Sequence, residues 1–142
     1  MALSSTATRW AALLRSAGHR VRVQVAWDGT RADAMIALHA RRSHSSVRQF
    51  CSRFPDEPVI VALTGTDLYR DIRFDADARE SMRLASRLVV LQEKGLEELS
   101  PALRRKTRII YQSAPRVAKP PGLKSCFEVV VSGHLRNEKD PF

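Results

Sequence analysis

The apolar positions up to Gln112 alternate between two rhythms, a helical spacing of three or four and short runs that are continuous or fall on every second residue. In "ATRWAALLRSAG", Trp10, Leu13, Leu14 and Ala17 share one helical face, with the hydroxyls of "SST" placed to cap the helix and Gly18 to stop it. The next stretch, "HRVRVQVAW", sets Val21, Val23 and Val25 against Arg22 and Gln24, the pattern of a strand with one polar face, closed by the turn signal "WDGT". The unit then recurs. "ADAMIALHA" reads as a short buried strand, "SHSSVRQFCSRF" as a helix capped by Ser43 or Ser45, and "EPVIVALTG" as another buried strand. "DADARESMRLAS" predicts a helix capped by Asp75 or Asp77, followed by the strand "RLVVLQ", a short helix in "EKGLEEL" and the strand "TRIIYQ".

Five strand candidates alternating with helices predict an α/β fold, a doubly wound (Rossmann-like) parallel sheet, over residues 1–112. Residues 113–125, "SAPRVAKPPGLKS", break the rhythm with three prolines and a glycine and predict a linker. Residues 126–142 begin with a fresh strand, "CFEVVVSG", as a second α/β domain would.

Composition narrows the partners. The 24 Lys and Arg against 15 Asp and Glu leave a formal charge of +9, which favours anions such as phosphates and nucleotides. The arginines are scattered rather than gathered in a basic-aromatic stripe, so nucleic acid is not an expected partner, and many of them serve equally as a solvated surface. The two cysteines, Cys51 and Cys126, lie outside any CxxC or Cys/His ligand spacing, which supports neither a disulfide scaffold nor a zinc site and fits a reducing cytoplasm. No apolar run approaches the roughly 20 residues needed to span a bilayer. Cys51, Met35 and Met82 fall at apolar positions and read as packing.

In an open parallel sheet, ligands bind outside the carboxyl ends of the strands, so residues following each strand carry most of the functional weight. After "MIAL" come His39, Arg41, Arg42, Ser43 and His44, where two guanidiniums and two imidazoles flank a helix N-terminus and make a candidate anion pocket. The bland reading of the same residues is a pair of solvated arginines and a core histidine. After "VIVAL" come Thr64, Gly65, Thr66, Asp67 and Tyr69, with hydroxyls and one carboxylate able to hold a sugar or take a proton, or equally to cap a turn. Gln92 follows "RLVV", and Gly133, His134, Arg136 and Lys139 follow "EVVV". The chain contains no GxGxxG after a strand, no GxxxxGK[ST], no HExxH and no GxSxG, which removes the usual dinucleotide, P-loop, zinc-protease and serine-hydrolase readings.

The order of pieces, with "RLVVLQEKGLEEL", "RIIYQSA", a linker and then "VVSGHLRNEKDP", resembles the N-terminal half of GT-B glycosyltransferases of the family 4 type. Family members open the second domain with strand and G-R-L-x-x-x-K; here the run is Gly133, His134, Leu135, Arg136, Asn137, Glu138 and Lys139, so the Lys matches while His134 stands in place of Arg. The stretches "LHARRSH", "LTGTDLYRD", "VLQ", "IYQSAP" and "GHLRNEKDPF" resemble, more narrowly, the selenosugar synthases of selenoneine biosynthesis. That resemblance implies a UDP-sugar donor, with N-acetylglucosamine as the sugar, and selenophosphate as acceptor, joined through a carbon–selenium bond without metal or resident cofactor. It implies that Gly133, His134, Arg136 and Lys139 hold the donor diphosphate. His39, Arg41, Arg42, Ser43 and His44 would cradle selenophosphate, while Thr64, Gly65, Thr66, Asp67 and Tyr69 position sugar or acceptor. Asp67 is the one candidate for a catalytic carboxylate.

The family's first domain opens with a strand and a Gly-rich loop ahead of the helix that starts here near Ser5, and its donor-binding domain extends well past the run that ends here at Phe142. The expectation is therefore an N-terminal fragment lacking its first strand and inactive by itself. Two other readings stay open, a family 4-type enzyme with an ordinary oxygen acceptor and a non-catalytic anion-binding α/β module.

Overall fold

The computed structural model describes residues 5–114 together with Arg116 and Ala118. Its elements run α1 (Ser5–Ser16), β1 (Met35–Leu38), α2 (His44–Arg53), β2 (Val59–Ala62), a π-helical turn (Asp67–Asp71), the single turn α3 (Ile72–Phe74), α4 (Ala76–Leu84), β3 (Arg87–Val90), a 3₁₀ turn (Glu93–Leu96), α5 (Pro101–Arg105) and β4 (Thr107–Ile109). The four strands form one all-parallel sheet in the order β1-β2-β3-β4, flanked by helices, which is the Rossmann-like α/β architecture that the alternation predicts. The compact unit ends at Gln112, and a second unit begins at Ser113. The predicted linker and the predicted strand after it fall almost wholly outside the described residues. No helix among the described residues is long and apolar enough to cross a membrane.

The sheet stands on an apolar layer whose members the sequence places two apart. Ala37, Val59, Val61, Leu63, Leu88 and Val90 are all buried on alternating strand positions and meet Val47 and Phe50 of α2 and Ala78 and Met82 of α4. The helical partners are spaced i,i+3 and i,i+4, so each helix gives the sheet one stripe, and α2 packs beside α4. The intervening residues on the other sheet face, Ile36, Leu38 and Ile60, keep partial exposure. Phe50 is the largest wholly buried side chain, and it meets Trp27 and Phe54 edge-on, with centroids 5.4 Å from each.

Three expectations are corrected. Residues 19–27 form no strand: the segment is tied by side chains instead, with Arg15 Nη2 donating to the Val21 carbonyl at 2.6 Å and the Trp27 N–H donating to Ser46 Oγ at 3.0 Å. Val21 and Val23 remain half-buried between exposed Arg22 and Gln24, so the alternation reports one-sided burial, whereas a strand also needs a neighbour to complete its ladder. In α1 the covered face runs through Trp10, Ala11 and Leu14, leaving Leu13 and Ala17 exposed. The short helix expected in "EKGLEEL" narrows to a single 3₁₀ turn over Glu93–Leu96, and its glycine shows why it sits so close: a Cβ on Gly95 would stand 3.0 Å from Leu68 Cδ2 and from Val90 Cβ. A separate helix, α5, then starts with Pro101 in its first turn, where a missing N–H costs nothing. Of the two candidate caps for α4, Asp75 does the work, its Oδ1 accepting from Ala78 N at 2.9 Å.

Truncating Phe50 removes the side chain that the sheet, α2 and the Trp27 segment share. Phe50→Ala is expected to lower unfolding free energy by about 3–5 kcal/mol, measured by urea denaturation followed by far-UV circular dichroism.

Candidate functional site

Two loops leave the carboxyl ends of the neighbouring strands β1 and β2, and one side chain ties them together. Asp67 is wholly buried. Its Oδ2 accepts from the Ala40 N–H at 2.7 Å in the loop after β1, and its Oδ1 accepts from the Thr64 N–H at 2.6 Å and the Thr64 hydroxyl at 2.7 Å in the loop after β2. Donors that strand ends leave unpaired are thus satisfied by one carboxylate, in charge-assisted bonds stronger than neutral ones. The side chain read as a turn cap or a catalytic carboxylate is, in its geometry, a latch between strand ends.

The chain around Asp67 is wound as a π-helical turn, with the Ile72 N–H reaching back to the Asp67 carbonyl. Such turns are rare and often accompany functional sites. Here the winding puts both Asp67 and Asp71 on the buried side. Asp71 Oδ2 accepts from Arg41 Nε at 2.8 Å and its Oδ1 accepts from Arg70 Nε at 3.1 Å. Burial by itself would raise the Asp71 carboxyl, but the hydrogen bond from Arg70 and the charges of Arg41 and Arg70 hold it below its ordinary value, so it is an anion at neutral pH.

His39 lies between the two carboxylates, with Nδ1 3.7 Å from Asp67 Oδ2 and Nε2 3.8 Å from Asp71 Oδ2. Its backbone has φ +82, the one left-handed non-glycine residue among those described. Nδ1 accepts a long bond from the Arg42 N–H at 3.4 Å, which assigns the ring proton to Nε2. Nε2 is buried and has no hydrogen-bond partner. Burial lowers the imidazole below its ordinary range and Arg42 and Arg41 act the same way, against the pull of Asp67 and Asp71. The ring is therefore neutral at pH 7, with a donor held in reserve next to Asp71.

Around this core the loops present further polar groups. The Tyr69 hydroxyl accepts from Gln92 Nε2 at 2.6 Å, joining the loop after β3 to the same edge. A Cβ on Gly65 would meet nothing within 4 Å, so the space beside it is open, and Thr66 stands at the start of the π-helical turn. Ser43 occupies the cap position of α2, yet its hydroxyl donates to the Leu38 carbonyl at 2.9 Å rather than capping the helix. Arg41 is committed to Asp71, while the exposed Arg42 guanidinium enters no ion pair among the described residues.

His39, Arg41, Arg42, Ser43, Thr64, Gly65, Thr66, Asp67 and Tyr69 are thus brought to one edge of the sheet. His44 turns instead toward α4, where its ring faces Asp77 and Glu80. Gly133, His134, Arg136 and Lys139 lie outside the described residues. Arg70 and Asp71 are site residues that the strand-end rule does not single out in "LTGTDLYRD"; the i,i+4 spacing of the two aspartates is the signal for a shared helical face. No family model and no curated protein matches this chain.

Asp67→Asn puts an amide NH₂ against either the Ala40 or the Thr64 N–H, donor facing donor. The expected loss is about 2–4 kcal/mol of unfolding free energy, read by chemical denaturation, with far-UV dichroism unchanged in the absence of denaturant. The pH dependence follows from His39. Its folded pKa is depressed, so the unfolded chain binds the proton more readily; stability is full above the ordinary His value of 6.5 and falls as pH drops below it. Asp71 acts in the same direction below its ordinary value of 3.8. Unfolding free energy between pH 8 and pH 5, read by chemical denaturation, is expected to decline, by at most about 1.4 kcal/mol per pH unit from His39, and His39→Asn, which tolerates the left-handed backbone, flattens that decline.

Proposed function

We propose that this domain is the acceptor side of a GT-B glycosyltransferase of the family 4 type, similar to selenosugar synthases, acting with a UDP-sugar and selenophosphate. The observation that carries the reading is the cationic group at the β1 strand end, Arg41 and Arg42 ahead of the α2 N-terminus, on the edge of a parallel sheet where such folds take ligands. A doubly charged oxyanion is suited to that place, since guanidinium forks and free helix N–H groups favour phosphate geometry.

In the proposed reaction the selenium of selenophosphate attacks the anomeric carbon of UDP-N-acetylglucosamine. The carbon–selenium bond forms as the bond from carbon to the diphosphate oxygen breaks, and UDP leaves with the electron pair. Charge grows on the departing diphosphate, so cations stabilise the transition state more than the ground state; the resemblance gives that task to Arg136 and Lys139, without a metal. On the acceptor side Arg42 is available, and Arg41 becomes available when an incoming anion competes for it with Asp71. The His39 Nε2–H, 3.8 Å from Asp71 Oδ2, is then positioned to take over part of the carboxylate. Asp67 serves this chemistry as the latch holding both loops. A second reading, transfer to a sugar hydroxyl, draws on the Thr64, Thr66 and Tyr69 hydroxyls along the same edge.

The reading is tested in the intact gene product. With UDP-N-acetylglucosamine, selenophosphate is expected to cause UDP release, and the Arg41→Ala, Arg42→Ala pair to raise its KM by about ten-fold or more while the donor KM stays within about two-fold. Unchanged selenophosphate kinetics would sink the assignment of the arginines. Release of UDP with sugar alcohols but not with selenophosphate would select the hydroxyl reading.

A further inference from the structure

His44 turns away from the strand-end cluster, and what it faces is negative. It opens α2, while Asp77 and Glu80 stand three apart near the start of α4, and the packing of α2 beside α4 closes the distance. His44 Nε2 lies 3.6 Å from Asp77 Oδ1 and 3.5 Å from Glu80 Oε2, and all three atoms lie within 4.8 Å of one another. On the other side of the ring, Nδ1 is 3.1 Å from the hydroxyl of Ser81, a wholly buried residue.

Those two gaps exceed the N–H···O range, which ends near 3.2 Å, roughly. Among the described residues no Lys or Arg pairs with Asp77 or Glu80 either; His44 is their common partner. A ring nitrogen and two carboxylates therefore converge on a space that no hydrogen bond closes. Metal bonds of about 2.0–2.1 Å at tetrahedral angles place neighbouring ligand atoms about 3.3–3.5 Å apart, and the two edges at His44 come close to that. Ser81 supplies the accompanying feature. The buried Ser81 hydroxyl can accept the Nδ1–H, and the tautomer so formed is the one a metal selects, with the Nε2 lone pair free for the ion. In that tautomer the lone pair faces two carboxylates, an arrangement relieved by a cation between them, whereas the ion-pair alternative places a proton there instead.

We propose that His44, Asp77 and Glu80 form a divalent-metal site, best matched to zinc, with Ser81 as the positioning residue. Three protein ligands leave a fourth coordination position for water or an anion, and the 62% exposure of the Asp77 side chain opens it to solvent. The ion would bridge the N-terminal turns of α2 and α4, the helix pair that covers the core below the strand ends. This site does not depend on the identity of the sugar acceptor.

The alternative is a plain ion pair between protonated His44 and the two carboxylates. The full chain, stripped with chelator, is titrated with zinc chloride by calorimetry, and cobalt is used as a spectroscopic probe. The expected result is one zinc per chain at micromolar Kd or tighter, a rise in melting temperature with zinc, and the intense visible bands of tetrahedral cobalt. The Asp77→Asn, Glu80→Gln pair, both on the helix surface, should weaken zinc by about 100-fold or more, Ser81→Ala by about ten-fold, and His19→Ala not at all. Zinc binding that is absent, or equally strong in the Asp77→Asn, Glu80→Gln pair, overturns the proposal. So does a pattern in which these variants change the metal-free melt while zinc moves neither wild type nor variant, which is the signature of an ion pair alone.

Discussion

The arrangement of the site depends on one buried carboxylate. Parallel strands end in step, and the loops that leave them have no hairpin to hold them together; here the register that sets Leu38 opposite Ala62 releases two loops side by side. Asp67 bridges them with bonds to Ala40 and Thr64, and from that bridge the other positions follow. The loop after β1 is held where His39 adopts a left-handed backbone and Arg41 reaches Asp71; the loop after β2 is held where the π-helical turn begins. A buried carboxylate so enclosed is tolerable because three donors satisfy it, and each donor removed leaves it less compensated.

Charge is sorted around that bridge rather than simply accumulated. The composition is strongly basic, yet in the core of the site two carboxylates face His39, Arg41 and Arg70 in near balance. A pocket in which all cations were free would hold its own residues apart and bind anions indiscriminately. The Arg41–Asp71 pair ties the two loops together, and in the proposed reading it sets a threshold, because an anion would have to offer Arg41 more than Asp71 does. Arg42, exposed and outside any ion pair among the described residues, would need no such exchange in that reading.

The fold is legible because buried parallel strands have a distinct grammar: the continuous apolar runs within "ADAMIALHA", "EPVIVALTG" and "RLVVLQ" each form a strand, with ends up to three residues inside those stretches. "HRVRVQVAW" failed because alternation encodes which side is covered and says nothing about a partner for the backbone. That the short helix of "EKGLEEL" is a 3₁₀ turn is not legible for a related reason, since the closeness of Gly95 to Leu68 arises from a residue remote in sequence. At the site, the strand-end rule brought nine of the named residues to one edge, but it could not say what each does there. Asp67 was visible in "LTGTDLYRD" as a carboxylate next to hydroxyls, whereas its role in joining two loops is a property of the β1–β2 register. His44 is the sharpest case. Adjacent in sequence to Ser43 and two arginines, it reads as part of a cationic loop; the first turn of a helix rotates it toward α4, to carboxylates more than thirty residues away.

That rotation has a consequence for how the two sites relate. Arg41, Arg42 and Ser43 precede the first residue of α2 and belong to the strand-end edge, whereas His44 is that first residue and belongs to the helix pair. Within four consecutive positions the chain passes from groups that attract anions to one that faces them. In the proposed reading, a cation held by His44, Asp77 and Glu80 would fix the start of α2 against α4. The flexibility of the Arg41–Arg42 segment would then be limited from both ends, by Asp67 through Ala40 and by the metal through His44. Preorganisation of that kind matters most for a doubly charged, well-hydrated ligand, whose binding must offset its own desolvation and leaves little to spend on ordering a loop.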